Sequence, residues 1–260
     1  MQTLKQYVLK NKMLLVAHRG SSGTAPENTR AAYIKALEIG VPAIEIDVHL
    51  TKDYEIVCFH DDYLTEKAKS NKSINESTLE ELRTLEIGSW FDEKYSNERI
   101  LTLSDVIDLV KNKAYLVIEL KPSSYFPEIF IQKIIDIVER TKHSQYTVFV
   151  SFNYEYLKII KNINKKYLTA AIKIPNNNWL PSTIQSIANS DAVICSISEL
   201  EQSFVEDAQK SGIPLGVYDV DTKEEYLKAI NYEVLGIGSN FPEMILTLMK
   251  GSKNDKRKTN

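Results

Sequence analysis

The feature that most constrains this chain is its rhythm. Eight short β-rich runs alternate with eight longer helical stretches. Strands are predicted at 14–18, 43–48, 115–120, 147–151, 168–172, 192–197, 214–219 and 234–239. Helices are predicted at 27–39, 104–112, 126–141, 153–164, 181–189, 200–211, 222–231 and 242–250. Several strand runs, such as TVFVS and AVICSI, are apolar nearly throughout. Strands covered on both faces read that way, as in a parallel sheet wrapped by helices. Eight such pairs in 260 residues predict one closed (βα)8 TIM-type barrel, an α/β fold of about 250 residues. An open doubly wound sheet is the alternative, but the chain lacks a glycine-rich phosphate loop of Rossmann or P-loop spacing.

Punctuation agrees with this order. Pro26 precedes the first predicted helix and Gly40 ends it. Ser104 is placed as an N-cap, and Gly212 with Pro214 separates a helix from the next strand. One stretch breaks the rhythm. The connection between the second and third strands is far longer than one crossover requires, and long connections in compact domains are functional or fold by themselves. Residues 61–103 are therefore read as an insertion above the barrel mouth. The barrel domain spans 1–250, insertion included, and 251–260 is a polar flexible tail.

The net charge of −3 gives no basic face of the kind nucleic acid requires. No apolar run approaches the ~18 residues of a membrane span. Lys5, Lys10 and Lys12 interrupt any signal-peptide core, so a cytoplasmic protein is expected. The basic tail alone gives no stable membrane anchoring, which needs a second signal. Cys58 and Cys195 lie in apolar runs and are expected as buried free thiols, which suits a reducing compartment.

Three strand ends carry polar residues that a barrel wall does not need. The first ends in His18-Arg19-Gly20, the second contains Glu45-Ile46-Asp47, and the third ends in Glu119-Leu120-Lys121. Alternate strand residues share a face, so Glu45 and Asp47 point the same way, as do Glu119 and Lys121. Active sites in these barrels sit at the C-terminal strand ends, where the three carboxylates Glu45, Asp47 and Glu119 would converge. Packed acids repel unless a cation lies between them. An all-oxygen site suits a hard divalent cation, Mg2+ or Ca2+. The plainer alternative pairs Glu45 and Asp47 with Arg or Lys inside the barrel.

A polar turn near 51–54 predicts a hairpin folding back on the second strand. Centred near Asp53, it sets His60 across from Ile46, between Glu45 and Asp47. His18 and His60 then flank the acids as a general acid/base pair, because near-neutral imidazoles can both give and take a proton. His49 and His143 are read as structural, with His49 able to reach the site by alternation. Arg19 and Lys121 add positive charge suited to a phosphodiester; the plainer alternative for Arg19 is a salt bridge to a wall carboxylate.

The order and spacing of His18-Arg19-Gly20, Pro26-Glu27-Asn28-Thr29, Glu45-Ile46-Asp47-Val48, Thr51-Lys52-Asp53 and His60-Asp61 resemble the glycerophosphodiester phosphodiesterase family. Weaker matches continue at Gly88-Ser89-Trp90-Phe91, Glu119-Leu120-Lys121, Ser151-Phe152 and Gly236-Ile237-Gly238. The resemblance implies a TIM-barrel hydrolase of the phospholipase-C-like type. It would cut glycerophosphodiesters to sn-glycerol 3-phosphate and an alcohol. It also implies Glu45, Asp47 and Glu119 as metal ligands, and His18 and His60 as the catalytic pair. Arg19, Glu27, Lys121 and Tyr218 become substrate-binding residues. The chain departs from the family pattern at Tyr218, where the family carries Trp, at Ser239-Asn240 in place of Thr-Asp, and at Leu64-Thr65-Glu66-Lys67, which lacks an Arg. These departures bear on substrate preference. Two other readings remain open: a lysophospholipase D or phospholipase-C-like activity on lipids, with Trp90 and Phe91 as an apolar lid, and a catalytically silent phosphodiester-binding barrel.

Overall fold

The predicted strands close on themselves. The computed structural model describes residues 1–122 and 126–258. The strands are β1 (Leu14–Ala17), β2 (Ala43–Leu50), β3 (Ile56–Cys58), β4 (Leu101–Thr102), β5 (Tyr115–Leu120), β6 (Thr147–Ser151), β7 (Leu168–Ile172), β8 (Ala192–Ser196), β9 (Leu215–Tyr218) and β10 (Gly236–Ser239). From β5 to β10 each strand pairs in parallel with the next; β2 pairs with β5, and β1 with both β2 and β10. The ring of eight is complete, a TIM barrel rather than an open sheet. The helices are α1 (Leu4–Asn11), α2 (Arg30–Glu38), α3 (Thr65–Ala68), α4 (Leu79–Arg83), α5 (Leu103–Val110), α6 (Pro127–Arg140), α7 (Tyr154–Ile163), α8 (Pro181–Ala188), α9 (Gln202–Ser211), α10 (Lys223–Asn231) and α11 (Pro242–Lys258).

Strand alternation divides the apolar side chains into two bodies. The outward residues, such as Ile44 and Ile46 of β2, Leu116 and Ile118 of β5 and Phe149 of β6, pack under the helices in the main core. Each fully buried aliphatic side chain there contributes roughly 1.5–3 kcal/mol. The inward residues, including Val16, Val117, Val150 and Ile172, form a second cluster in the lumen. Cys58 and Cys195 are buried free thiols in the outer core.

The hairpin register follows from the turn. β2 and β3 pair antiparallel with Val48 opposite Cys58, His49 opposite Val57 and Leu50 opposite Ile56. The Phe59 N–H then donates to the Asp47 carbonyl at 3.1 Å and continues the ladder toward His60. β4 adds to the free edge of β3. The segment beyond β3 gathers Phe59, Leu64, Ile74, Leu82, Ile87 and Ile100 into a small core of its own.

The structure departs from the sequence reading at several points. The cap of α5 is Thr102, whose side chain accepts from the Asp105 N–H, and not Ser104, which is the second residue of the helix. Helix α1 was not expected. Its N-terminus carries a capping box, with the Gln6 N–H donating to Thr3 and the Gln6 side chain accepting from the Thr3 N–H. Leu4 is buried against the lumen cluster. Tyr7 packs on Tyr115 with ring centres 5.1 Å apart, and the Tyr115 hydroxyl donates to the Gln2 carbonyl. This helix floors the N-terminal end of the barrel. At the other terminus α11 continues to Lys258, through most of the segment read as a flexible tail. Residues 259 and 260 of that segment lie outside the described residues.

Candidate active site

The charged groups meet where β1, β2 and β5 end. After β1 the chain turns sharply, with Arg19 at φ 56° and Gly20 at φ 83°. A side chain at Gly20 would also strike the Ala32 backbone at 2.7 Å, so only glycine fits beneath α2. The left-handed turn aims the Arg19 N–H at Glu45, which accepts it through Oε2 at 2.9 Å. Parallel pairing sets Asp47 directly beside Glu119. One carboxylate oxygen each from Glu45, Asp47 and Glu119 lies within 4.8 Å of the others, and all three residues are buried.

The cations present do not neutralise the acids evenly. Lys121 Nζ lies 2.9 Å from Asp47 Oδ1 and 2.6 Å from Glu119 Oε1. Arg19 Nε lies 3.3 Å from Asp47 Oδ2, and its Nη1 bonds Glu27. Burial alone would raise Asp47, but Lys121 and Arg19 outweigh it and hold its carboxyl well below the usual range. Glu45 goes the other way: burial, then repulsion from Asp47 and Glu119, pushes it well above the usual carboxylate value. Glu119 is raised by burial and by Asp47. Glu45 Oε1 is buried without a hydrogen-bond partner. In this network five carboxylates (Glu27, Glu45, Asp47, Asp61, Glu119) face three cations (Arg19, Lys67, Lys121). Fully ionised, the acids exceed the bases by two charges. An orphaned buried carboxylate oxygen and an excess of two negative charges fit an oxygen-liganded divalent cation.

Two imidazoles line the same cavity as Arg19, Glu45, Glu119, Lys121 and Tyr218. His18 Nδ1 lies 2.9 Å from Asn240 Oδ1, and Asn240 Nδ2 donates to Asp221 at 2.6 Å, which fixes the amide with its oxygen toward the ring. The His18 Nδ1 therefore carries the proton, leaving Nε2 bare. His60 Nδ1 lies 2.7 Å from Asp61 Oδ1. Both imidazoles are held below the usual histidine value, chiefly by burial, with Arg19 adding to it at each ring. Tyr218 sits beside His18, ring centres 6.4 Å apart, and burial first, then Asp219, pushes its hydroxyl up to about 12.

Glu27 stands behind Arg19 and bridges it to Lys67, whose Nζ lies 2.8 Å from Glu27 and 2.5 Å from Asp61. Lys67 lies over the Phe59 and Trp90 rings as well. It was missed in the sequence, where the residues around it read only as a lost Arg. Asn28 stands out in the sequence only as part of a motif. It is buried, donates to Asp47 Oδ2 at 2.7 Å, and accepts from the Tyr33 hydroxyl. His49 is structural: its Nε2 bonds the His60 carbonyl at 3.2 Å, and burial lowers it to about 4. His143 is likewise buried and lowered to about 4. Trp90 and Phe91 pack edge to face, with Trp90 donating to the Ile87 carbonyl.

A closed parallel barrel with its charged groups gathered at the C-terminal strand ends defines a TIM-barrel enzyme. The profile of the glycerophosphoryl diester phosphodiesterase family matches residues 18–244. A glycerophosphodiester phosphodiesterase of Caldanaerobacter subterraneus subsp. tengcongensis is 31% identical over 240 residues, covering 92% of this chain and 98% of that one. A phosphodiesterase of Oleispira antarctica, solved with the product sn-glycerol-3-phosphate, superposes with a TM-score of 0.84 at 28% identity, covering 94% of this chain and 99% of that one. A glycerophosphodiester phosphodiesterase of Agrobacterium tumefaciens shares the fold with a TM-score of 0.78 at 22% identity, over 90% of this chain and 98% of that one. The chain belongs to the glycerophosphoryl diester phosphodiesterase family, whose members are phosphodiester hydrolases. Among the described residues no helix is long and apolar enough to cross a membrane.

Proposed function

We propose that the protein is a metal-dependent phosphodiesterase that cuts glycerophosphodiesters to sn-glycerol 3-phosphate and an alcohol, with His18 and His60 moving the protons. The observation that carries this reading is the buried carboxylate trio, with its unpartnered Glu45 oxygen, in a cavity shared by two imidazoles. Glu45, Asp47 and Glu119 would hold a hard divalent cation, Mg2+ or Ca2+. When bound, that cation supplies charge neutralisation and Lewis acidity at a phosphoryl oxygen.

The chain's own groups divide the remaining work. Arg19 and Lys121 bring positive charge to the cavity and steady the phosphate. Glu27 anchors Arg19 from behind, and Tyr218 forms an aromatic wall beside His18. The two imidazoles are backed differently. His18 leans on a neutral amide at 2.9 Å, with the Asp219 carboxylate farther off at 3.9 Å, so an imidazolium there gains less support, and its bare Nε2 is left as a base. His60 leans on the Asp61 carboxylate, which favours the protonated ring and suits a donor to the departing alkoxide. The proton taken by His18 comes from the attacking hydroxyl, of water or of the substrate's own glycerol.

Release of glycerol 3-phosphate from glycerophosphocholine tests this directly. EDTA should abolish turnover, and added Mg2+ or Ca2+ should restore it. His18→Ala and His60→Ala should each lower kcat by about a hundredfold or more, with the fold retained by circular dichroism. Full activity in EDTA, or near-normal turnover in either histidine variant, would remove the corresponding part of the mechanism.

A further inference from the structure

The barrel interior is not filled. Barrels of this kind pack their lumen with layers of bulky branched side chains, and protein interiors are as dense as organic crystals. Here one cavity of about 530 Å3 runs from Leu4 and Val8 on the floor to His18, Glu45, Glu119 and Lys121 at the ceiling. The cause is an uneven choice of inward residues. On β5 and β6 they are Val117, Val148 and Val150. Around the rest of the wall they include Ala170, Ala192, Gly216, Gly236 and Gly238. The backbone does not demand these glycines. None of the three has a positive φ. A Cβ at Gly236 would meet nothing closer than 3.8 Å, and one at Gly238 nothing closer than 3.4 Å. At Gly216 a Cβ would press on Ile194 at 3.3 Å, but at Gly236 and Gly238 a Cβ fits, and its absence leaves the space open.

We infer that this lumen is a binding channel for one unbranched alkyl chain whose polar head sits at the carboxylate and imidazole ceiling. Apart from Thr169 and Asp191 near the lower end, its length is lined by valine, leucine, alanine and isoleucine side chains and by glycine backbone, so water inside would find few hydrogen-bond partners. From Leu14 to His18 the wall advances about 13 Å along the strand at 3.3 Å per residue, or about 11 Å along the axis of a barrel whose strands tilt by ~36°, the length of roughly eight or nine methylenes. Helix α1 lies across the lower end through Leu4 and Val8, while the carboxylates and imidazoles stand at the other, so the chain lies with its tail toward α1 and its head on the catalytic side. An apolar shaft under a charged ceiling matches a single-chain amphiphile. Its source is either a free fatty acid or a monoacyl glycerophosphodiester, and in the second case the channel extends the proposed diester site and rests on that reading.

The test uses the intact, metal-supplemented protein. Straight-chain fatty acids and monoacyl glycerophosphocholines of roughly six to fourteen carbons, either side of the channel's length, are titrated below their micellar concentrations. Fatty-acid affinity by calorimetry, or 1/KM for the monoacyl diesters, should rise about fourfold per methylene and level off near ten carbons. Gly236→Val and Ala192→Leu, placed low in the shaft, should move that break to shorter chains and weaken the longest ligands about tenfold. Hydrolysis of glycerophosphocholine, which has no chain to bury, should stay within about twofold. Should a variant fail to fold, the break in the wild-type series still decides the matter. A break in fatty-acid affinity alone assigns the channel to free carboxylates; a break in KM assigns it to the substrate's chain. A break in binding without any hydrolysis of glycerophosphocholine leaves the channel standing and removes the diesterase reading. Flat dependence on chain length in both series overturns the channel.

Discussion

Of the buried lysines that sit against carboxylates among the described residues, Lys161 and Lys121 lie at opposite ends of the barrel wall, and their surroundings differ in kind. Lys161, below β7 and β8, meets Asp191 at 2.6 Å and the Tyr167 carbonyl at 2.7 Å. Asp191 in turn accepts the Thr169 N–H at 2.8 Å. One cation meets one anion, backbone groups take up further hydrogen-bonding capacity, and half-exposed Asp191 keeps water. Lys121, at the opposite end between β2 and β5, meets two acids of a group of three, and the third acid has an oxygen with no partner. The first arrangement is complete as it stands. The second is complete only with a further positive charge. That difference separates an ion pair that supports a fold from one that supports chemistry, since buried charge left unmatched costs several kcal/mol.

The sharpest way to break the comparison is to neutralise each end in turn. Glu45→Gln should lower turnover about a thousandfold, the several kcal/mol that a bound cation contributes. Its melting temperature in EDTA should match or exceed the parent's. Burial and acid repulsion already favour the neutral Glu45 carboxyl without a cation, so a neutral amide of the same shape costs nothing there. When parent and variant are melted with and without Mg2+, only the parent should be markedly stabilised by the ion. Retained activity, or a large loss of stability in EDTA, would reduce the trio to a structural network.

Lys161→Met should do the reverse. Activity should stay within about twofold, while stability falls by about 2 kcal/mol, toward the low end for a broken buried pair because Asp191 can rehydrate. Denaturant titration reads the loss, and a matching fall in kcat would show that the two ends are coupled.

How much of this difference was legible in the chain follows from what each feature depends on. The trio was legible because it needs only strand alternation and parallel register: Glu45 and Asp47 share a face, and Glu119 ends the strand that pairs beside them. The hairpin was legible because a turn at Asp53 fixes every pairing back to Val48. Lys67 was not, because it reaches Glu27 and Asp61 only through the fold of the segment beyond β3, which no period in the sequence specifies. Helix α1 carried a readable signal in Thr3 and Gln6, but its eight residues lack a long apolar period. The open lumen was half legible. Gly236 and Gly238 share a face by alternation, yet that they face an empty interior depends on Ala170 and Ala192 from other strands.

The smallest expected effect concerns how charge reaches the ring of His60. Lys67 holds Asp61 at 2.5 Å, and Asp61 holds His60. The lysine draws carboxylate charge away from the imidazole, so the ring sits lower than it would beside a free Asp61. His60 is held below the usual histidine value by burial first, with Lys121 and Arg19 also lowering it and Asp61 raising it. In Lys67→Met the Asp61 carboxylate is released to the ring, and the imidazolium gains stability. If His60 is the proton donor, its acid form must then persist to higher pH. The alkaline limb of the kcat profile should move upward by roughly half a pH unit, while kcat at the optimum falls about three- to tenfold because the ring is less firmly held. Lys67→Arg should recover most of the rate, since a guanidinium can bridge the same two carboxylates. An upward shift of the acid limb instead, with the alkaline limb unmoved, would mean that His60 works as the base, and the roles of His18 and His60 would exchange.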